Sequence, residues 1–318
     1  VGSEMCIRDR SYTTTNKTPN RTHDACSNSY SRLLRQSYDH QMTSLKTPLR
    51  YPGGKSRATK KMAQYFPDFR DYTEFRESFL GGGSVSLYVT QMYPHLEIWV
   101  NDLYEPLYTF WKQLQKNSDK VRNELVQLKQ RHPDPSSARG LFLEAKEYLS
   151  KHPKDSDFIH RAVAFYVVNK CSFSGLTESS SFSKQASDSN FSMRGIDKLP
   201  YYGQLIQRWE ITNLPYEQLF TDDENVFIYL DPPYDIKANL YGKRGTMHIG
   251  FDHDSFARRC DRVECDQMIS YNSSNLVKQR FQGWRAQEYD HTYTMRSVGE
   301  YMKDQEQRKE LLLLNYDI

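Results

Sequence analysis

The stretch Asn225-Val226-Phe227-Ile228-Tyr229-Leu230-Asp231-Pro232-Pro233-Tyr234 decides the fold. Val226 to Leu230 is apolar without a polar break, the pattern of a strand buried on both faces in the middle of a parallel sheet. The run stops on an acid and a pair of prolines. Proline lacks an N–H and fixes φ, so the local backbone offers only carbonyl oxygens there. A carboxylate, bare carbonyls and an aromatic ring at the end of a central strand make an acceptor-rich edge suited to an amino group on a flat ligand. Open α/β sheets bind ligands at that end. An Asp-Pro turn closing a strand is the plainer reading of the same residues; the apolar run before Asp231 and the aromatic Tyr234 after it favour a site.

Working outward, the chain alternates strands and helices from Leu49 onward. Ser56–Phe66 reads as a helix and Tyr72–Phe79 as a strand running into Gly81-Gly82-Gly83. Ser84–Met92 reads as a helix, and Leu96–Val100 as a strand ending at Asn101-Asp102. Pro106–Gln115 is helical, with Leu107, Phe110, Trp111 and Leu114 on one face. Strand, glycine turn, helix, strand and acid, in that order, open a nucleotide-binding α/β fold. Phe79-Leu80-Gly81-Gly82-Gly83 allows tight turning and close approach of backbone to ligand. The glycine turn carries no GxGxxG and is not followed by Gly-Lys-Ser/Thr, so a phosphate cradle is not indicated there. Asp102 is placed either to accept ribose hydroxyls or to cap the following helix. In Leu49-Arg50-Tyr51-Pro52-Gly53-Gly54-Lys55, the Pro-Gly turn sets Tyr51 beside a ligand and aims the Lys55 charge at a carboxylate.

Between Ser118 and Leu199 the alternation breaks. Val121–Arg131, Ala138–Lys151 and Phe158–Lys170 read as helices. The polar, serine-dense stretch Ser172–Arg194 reads as a binding loop carrying Lys184 and Arg194. This marks residues 118–199 as an inserted subdomain between catalytic segments 42–117 and 200–318. Beyond Tyr234, residues 235–253 read as a charged loop over the site, carrying Lys243 and Arg244. Ser255–Arg262 and Ser274–Phe281 read as helices, and Gln267–Tyr271, Ala286–Tyr289 and Glu310–Asn315 as strands.

The composition is that of a globular chain, 318 residues with a formal charge of +3, which permits but does not argue for nucleic-acid binding. The cysteines number five and match no zinc or disulfide spacing, so a reduced, cytoplasmic setting is expected. No apolar run is long enough to span a bilayer. Asp252, His253 and Asp254 are sequence neighbours whose side chains diverge, and no metal site is expected. Residues 1–41, rich in Ser, Thr, Asn and Arg, read as a disordered tail. Met5-Cys6-Ile7-Arg8-Asp9-Arg10 is what ATG TGT ATA AGA GAC AGG encodes, which resembles a transposase end sequence used in sequencing libraries. We therefore expect translation to begin at Met42.

Taken together, Tyr51-Pro52-Gly53-Gly54-Lys55, the glycine loop, the insert and then Asp231-Pro232-Pro233-Tyr234 resemble the Dam-like (D12 class) N6-adenine DNA methyltransferases, in a phage-type variant. Asn169-Lys170-Cys171-Ser172-Phe173-Ser174-Gly175-Leu176, Tyr293-Thr294-Met295-Arg296-Ser297 and the segment Glu310–Tyr316 extend the match from Leu49 to the C-terminus. The resemblance implies a Rossmann-like sheet, mostly parallel with an antiparallel strand near the C-terminus, plus a mainly helical recognition insert. It implies S-adenosyl-L-methionine as cofactor, held by Tyr51, Gly53, Gly54, Lys55, Phe79, Gly81, Gly83, Asp102 and Asp231. Catalysis falls to Asp231, Pro232 and Tyr234. Double-stranded DNA is the partner, contacted by Asn169, Lys170, Phe173, Lys184, Arg194, Lys243 and Arg244, and the enzyme is expected to be monomeric or weakly dimeric. Many relatives carry an Arg soon after the Gly-Leu pair; here Thr177-Glu178 follow, so GATC recognition is not implied. N4-cytosine methylation and a catalytically inactive DNA-binding relative are the competing readings. The lack of a Pro-Cys dipeptide of the kind used by cytosine C5 methyltransferases is consistent with direct transfer to an amine.

Overall fold

The computed structural model describes residues 45–51, 54–56, 58–151, 157–173, 175, 180–234, 250–290 and 309–318. The tail read over residues 1–41 lies outside them. At the centre stands β4 (Val226–Leu230), buried at every position. It pairs in parallel with β1 (Glu74–Glu77) on one side and β5 (Asp266–Asn272) on the other. β2 (Glu97–Asn101) and β3 (Trp209–Thr212) extend the parallel sheet beyond β1. β7 (Lys309–Leu314) joins β5 antiparallel, and β6 (Arg285–Asp290) closes the edge, for a seven-stranded order β3-β2-β1-β4-β5-β7-β6. This is the Rossmann-like methyltransferase sheet, mostly parallel and antiparallel only near the C-terminus.

Alternation along a strand sends successive side chains to opposite faces, and here both faces are covered. Phe227, Tyr229, Met268, Leu312 and Leu314 enter one core. Val226, Ile228, Leu230, Ile269, Tyr271, Leu311 and Leu313 enter the other. That explains why Leu311–Leu314 is an unbroken apolar run rather than an alternating one. The second core is covered by α9 (His253–Cys260) and α10 (Asn275–Arg280) through Phe256, Ala257, Cys260 and Val277.

The first core is larger. It holds residues from α2 (Ser84–Met92), α3 (Glu105–Arg131), α4 (Pro135–Lys151), α5 (Phe158–Cys171) and α8 (Leu199–Leu205). α3 merges two helices expected separately; the break survives only as a non-helical Asn117 at φ −141°. α5 is buried from Arg161 to Cys171 all round, and its Arg161 is paired with Glu105 at the start of α3. The insert helices thus share one core with the sheet face.

Two expectations are corrected. Ser172–Arg194 is not a continuous loop: it contains α6 (Lys184–Asn190) and ends in α7 (Met193–Ile196). Two of the serines that read as loop polarity are helix caps. Ser183 accepts from the Ala186 N–H, and Ser192 from the Gly195 N–H. The edge strand β3 was not read at all, being four residues with alternating burial. Toward the N-terminus, the helix expected over Ser56–Phe66 is a single α turn, α1 (Thr59–Met62), followed by a 3-10 turn.

Glu77 closes β1 and is 3% exposed. Its Oε2 accepts from the Ser86 N–H at 3.1 Å and from the Ser86 hydroxyl. Burial pushes its carboxyl up to about 8, against the Ser86 bonds and with the Asp231 charge assisting. A folded-state value above the unfolded one contributes stability that is present at low pH and lost as pH rises through the folded value. Glu77→Gln is therefore expected to remove part of the fall in melting temperature between about pH 4.5 and pH 8. Parallel thermal melts of both proteins check this; an unchanged fall refutes it.

Candidate active site

In a sheet of this order the chain diverges between β1 and β4. β1 leads outward to β2 and β3, and β4 leads the other way to β5. The loops leaving the two central strands open a crevice there. The glycine turn after β1 forms one wall and Asp231–Tyr234 after β4 the other.

The glycine turn is held from three sides. Leu80 N–H donates to the Asn101 carbonyl at 2.8 Å, and Gly83 N–H to the Leu80 carbonyl at 2.8 Å. Gly81 and Gly83 have φ of +49° and +68°, a region closed to most L-residues. A Cβ on Gly81 would lie 2.9 Å from the Tyr51 ring, and one on Gly83 2.9 Å from the Trp111 ring. Asp102, at the end of β2, accepts from the Gly81 N–H at 2.8 Å through Oδ2 and from the Tyr104 N–H at 2.9 Å through Oδ1. Tyr104, not Asp102, is the N-cap residue of α3. Burial lifts the Asp102 carboxyl to about 6, with the two N–H bonds opposing. Each carboxylate oxygen retains a further lone pair, so Asp102 is both a tie for the turn and an available acceptor.

Tyr51 closes a turn by accepting from the Gly54 N–H at 3.0 Å, and Thr47 donates to the Gly82 carbonyl. Segment 45–51 thereby lies against the glycine turn. Gly53 is outside the described residues. Lys55 follows, 3% exposed. Its Nζ is 3.0 Å from Asp231 Oδ1, donates to the Tyr234 hydroxyl at 2.6 Å, and is 3.9 Å from Glu310 Oε2. The Tyr234 hydroxyl in turn donates to Glu310. Burial opposes the Lys55 charge, but Asp231 and Glu310 more than offset it, and the amine titrates well above its ordinary range. Burial raises both carboxyls, with Lys55 opposing. The lysine is a cation, and it sits between two acids. Tyr234 is 8% exposed and stacks on Tyr271, with ring centres 6.1 Å apart. Pro232 is buried beside it. Phe79 stacks on Tyr216 at 5.4 Å on the second-core side of the crevice.

The sequence reading gave Glu310 no role. Its signal was present, as a lone acid heading four leucines in a strand buried on both faces. A charge in such a position needs a partner.

The residues expected at DNA divide. Phe173 is half exposed, and Lys184 and Arg194 are exposed. Lys243 and Arg244 lie outside the described residues. Asn169 and Lys170 are corrections. Asn169 is fully buried, and its amide bonds both backbone groups of Arg50, accepting from N–H at 2.9 Å and donating to C=O at 2.6 Å. It also donates to the Gly175 carbonyl at 3.1 Å. Lys170 is buried against the Tyr166 ring, and burial, with Arg50 nearby, lowers its amine to about 7. A helix buried all round leaves neither residue a solvent-facing side.

The fold and this crevice define a methyltransferase of the Rossmann-like class. Residues 51–295 match the D12 class N6 adenine-specific DNA methyltransferase family, and the chain belongs to it. The chain is 22% identical over 290 residues to the type II methyltransferase M.MjaIII of Methanocaldococcus jannaschii, covering 84% of this chain and 98% of that one. It is 20% identical over 286 residues to the type II methyltransferase M.CviBI of Paramecium bursaria Chlorella virus NC1A, covering 86% and 100%. Among the described residues no helix is long and apolar enough to cross a membrane.

Gly175 has φ +68°, and a Cβ there would fall 2.5 Å from the Arg50 carbonyl oxygen. Gly175→Ala is expected to cost about 2 kcal/mol through backbone strain, and Asn169→Ala about 2–4 kcal/mol by stranding buried backbone groups. Gly140→Ala, where nothing lies within 4 Å of the added methyl, is expected to stabilise α4 by about 0.5–1 kcal/mol. Urea denaturation of the three variants tests the contrast; equal effects at Gly175 and Gly140 refute it.

Proposed function

We propose that this chain is a type II methyltransferase that transfers a methyl group from S-adenosyl-L-methionine to N6 of adenine in double-stranded DNA. The observation that carries the reading is the partly buried Asp231 carboxylate, followed by two prolines at the end of the central strand and paired with the buried Lys55 ammonium at 3.0 Å.

The residues present fit the cofactor. Positive-φ Gly81 and Gly83 make a turn that a Cβ would fill, and Asp102 has acceptor capacity left for ribose hydroxyls. Asp231 and Glu310 outnumber Lys55, which favours a cation nearby. Gly81, Gly83, Asp102, Tyr51 and Phe79 would hold the group, and when bound it supplies an electrophilic methyl on a sulfonium.

The target adenine must leave the duplex to reach the crevice, so the base is flipped. Asp231 and the Pro232 carbonyl accept the two N6 hydrogens and so aim the nitrogen lone pair out of the ring plane. The Tyr234 ring supports the base by stacking. Asp231, whose carboxyl burial has raised, is the nearest group to hold the proton that N6 releases. Positioning and fixed electrostatics supply the acceleration, with no covalent enzyme intermediate. Residues 118–199 form the recognition insert, with Phe173, Lys184 and Arg194 as its exposed contacts to DNA.

Incubation with unmethylated duplex DNA and methyl-labelled S-adenosyl-L-methionine, followed by digestion to nucleosides, tests this. Label is expected in N6-methyladenine, falling about 10²–10³-fold or more in Asp231→Ala. Label in N4-methylcytosine would replace the base; no label despite cofactor binding would sink the assignment to DNA.

A further inference from the structure

Lys55 occupies what an incoming base needs. Its ammonium lies on Asp231 at 3.0 Å and on the Tyr234 hydroxyl at 2.6 Å, 4.9 Å from the centre of the Tyr234 ring. The target amine and the lysine therefore compete for the same acceptor. Lys55 is buried, and a buried ammonium deprived of its counter-charge is strongly destabilising. The lysine needs a second place to stand.

Glu310 supplies one. It heads β7, is 1% exposed, and lies 3.9 Å from Lys55 Nζ through Oε2, which already accepts from Tyr234. Its other oxygen, Oε1, is buried and has no hydrogen-bond partner among the described residues. An unpaired buried carboxylate oxygen is costly to leave so. Among the described residues, the charged and titratable groups around Glu310 are Lys55, Asp231, Tyr234 and Tyr289, and Lys55 is the cation of that set. Closing the 3.9 Å separation to a charge-assisted bond of about 2.8 Å needs only a small movement of the side-chain tip.

We propose that Glu310 is a positioning residue that receives Lys55 when the target amine takes Asp231, so that the ammonium stays paired while Asp231 and Tyr234 are released to the base. No covalent bond changes and no proton is transferred in this exchange; the ammonium passes from one carboxylate to the other. The proposal rests on the reading of Asp231 as the acceptor of the target amine.

The test compares single-turnover methylation of long unmethylated duplex DNA by the full chain and its Glu310→Gln variant, with cofactor affinity and melting temperature measured alongside. Glutamine keeps the shape and can accept from Tyr234 but offers no charge to Lys55. The rate is expected to fall about ten- to a hundredfold, the loss of one charge-assisted hydrogen bond. The rate is read at saturating cofactor, so that any weaker hold on the sulfonium from the lost charge shows in the affinity and not in the methyl-transfer step. The decisive arm repeats Glu310→Gln in a Lys55→Met background, where no ammonium needs a second carboxylate. There the change is expected to cost no more than about twofold, because the two positions act through one interaction. Equal penalties in both backgrounds, or an unaltered rate in Glu310→Gln alone, overturn the proposal. If Glu310→Gln does not fold, Glu310→Asp keeps the charge but shortens its reach, and the same comparison with and without Lys55 decides. Wild-type protein that places no label on DNA overturns the reading of Asp231 and this proposal with it. Wild-type activity with additive penalties removes the exchange alone.

Discussion

A lysine ammonium buried between two carboxylates joins three distant parts of this chain. Lys55 comes from the segment ahead of α1, Asp231 from the end of the central strand, and Glu310 from the penultimate strand of the sheet. Burying any one of these charges alone would be prohibitive, and removing one partner from such a set typically costs about 3–5 kcal/mol. The cluster is therefore not a surface ornament but a condition on assembly. β7 must insert between β5 and β6 in the register that sets Tyr271 opposite Leu311 and Asn272 opposite Glu310. A slip by one residue would send Glu310 to the other face of the sheet and a leucine toward Lys55.

The same condition orders the site. Asp231 lies where β4 stops because Pro232 and Pro233 cannot continue the ladder. The glycine turn lies opposite because β1 is the neighbour of β4, with its own exit on the other side of the divergence. Asp102 then locks that turn by taking the Gly81 N–H. Each wall is set by backbone chemistry, glycine at positive φ on one side and proline on the other. Asp231 belongs to the proline wall itself, and Lys55 reaches it from the segment ahead of α1.

Much of this was legible in the residues, for identifiable reasons. Strands buried on both faces, such as Val226–Leu230 and Leu311–Leu314, announce themselves as apolar runs. The glycine turn, Asp102 and Asp231–Tyr234 sit at strand ends, where local chemistry is unambiguous. The misreadings have equally physical sources. β3 pairs only through β2, is four residues long and alternates in burial, so periodicity had too little to register. Ser183 and Ser192 read as loop because a capping serine and a loop serine are the same residue until the helix is seen. Asn169 and Lys170 read as polar contacts, and nothing local reveals that α5 is enclosed by helices far away in sequence. The partners of Glu310 lie 255 and 76 positions away, at Lys55 and Tyr234, so no local spacing names them.

Asn169 nevertheless shows how the insert bears on the site. It belongs to α5, inside the helical insert, yet its amide grips the main chain of Arg50, next to the Tyr51 ring that lies over Gly81. Gly175 approaches the same peptide so closely that only glycine fits, and Arg50 itself reaches back to the Ser172 carbonyl at 2.7 Å. Half-exposed Phe173 stands between these attachment points. A displacement of Ser172 or Gly175 therefore reaches Arg50. It must either break bonds to Arg50 or carry Tyr51 with it, and Tyr51 rests on the glycine turn. A rigid tether of this kind transmits load through contact and hydrogen bonds rather than through long-range flexibility. The insert and the wall of the crevice are on that account one mechanical element, although residues from more than a hundred positions apart compose it.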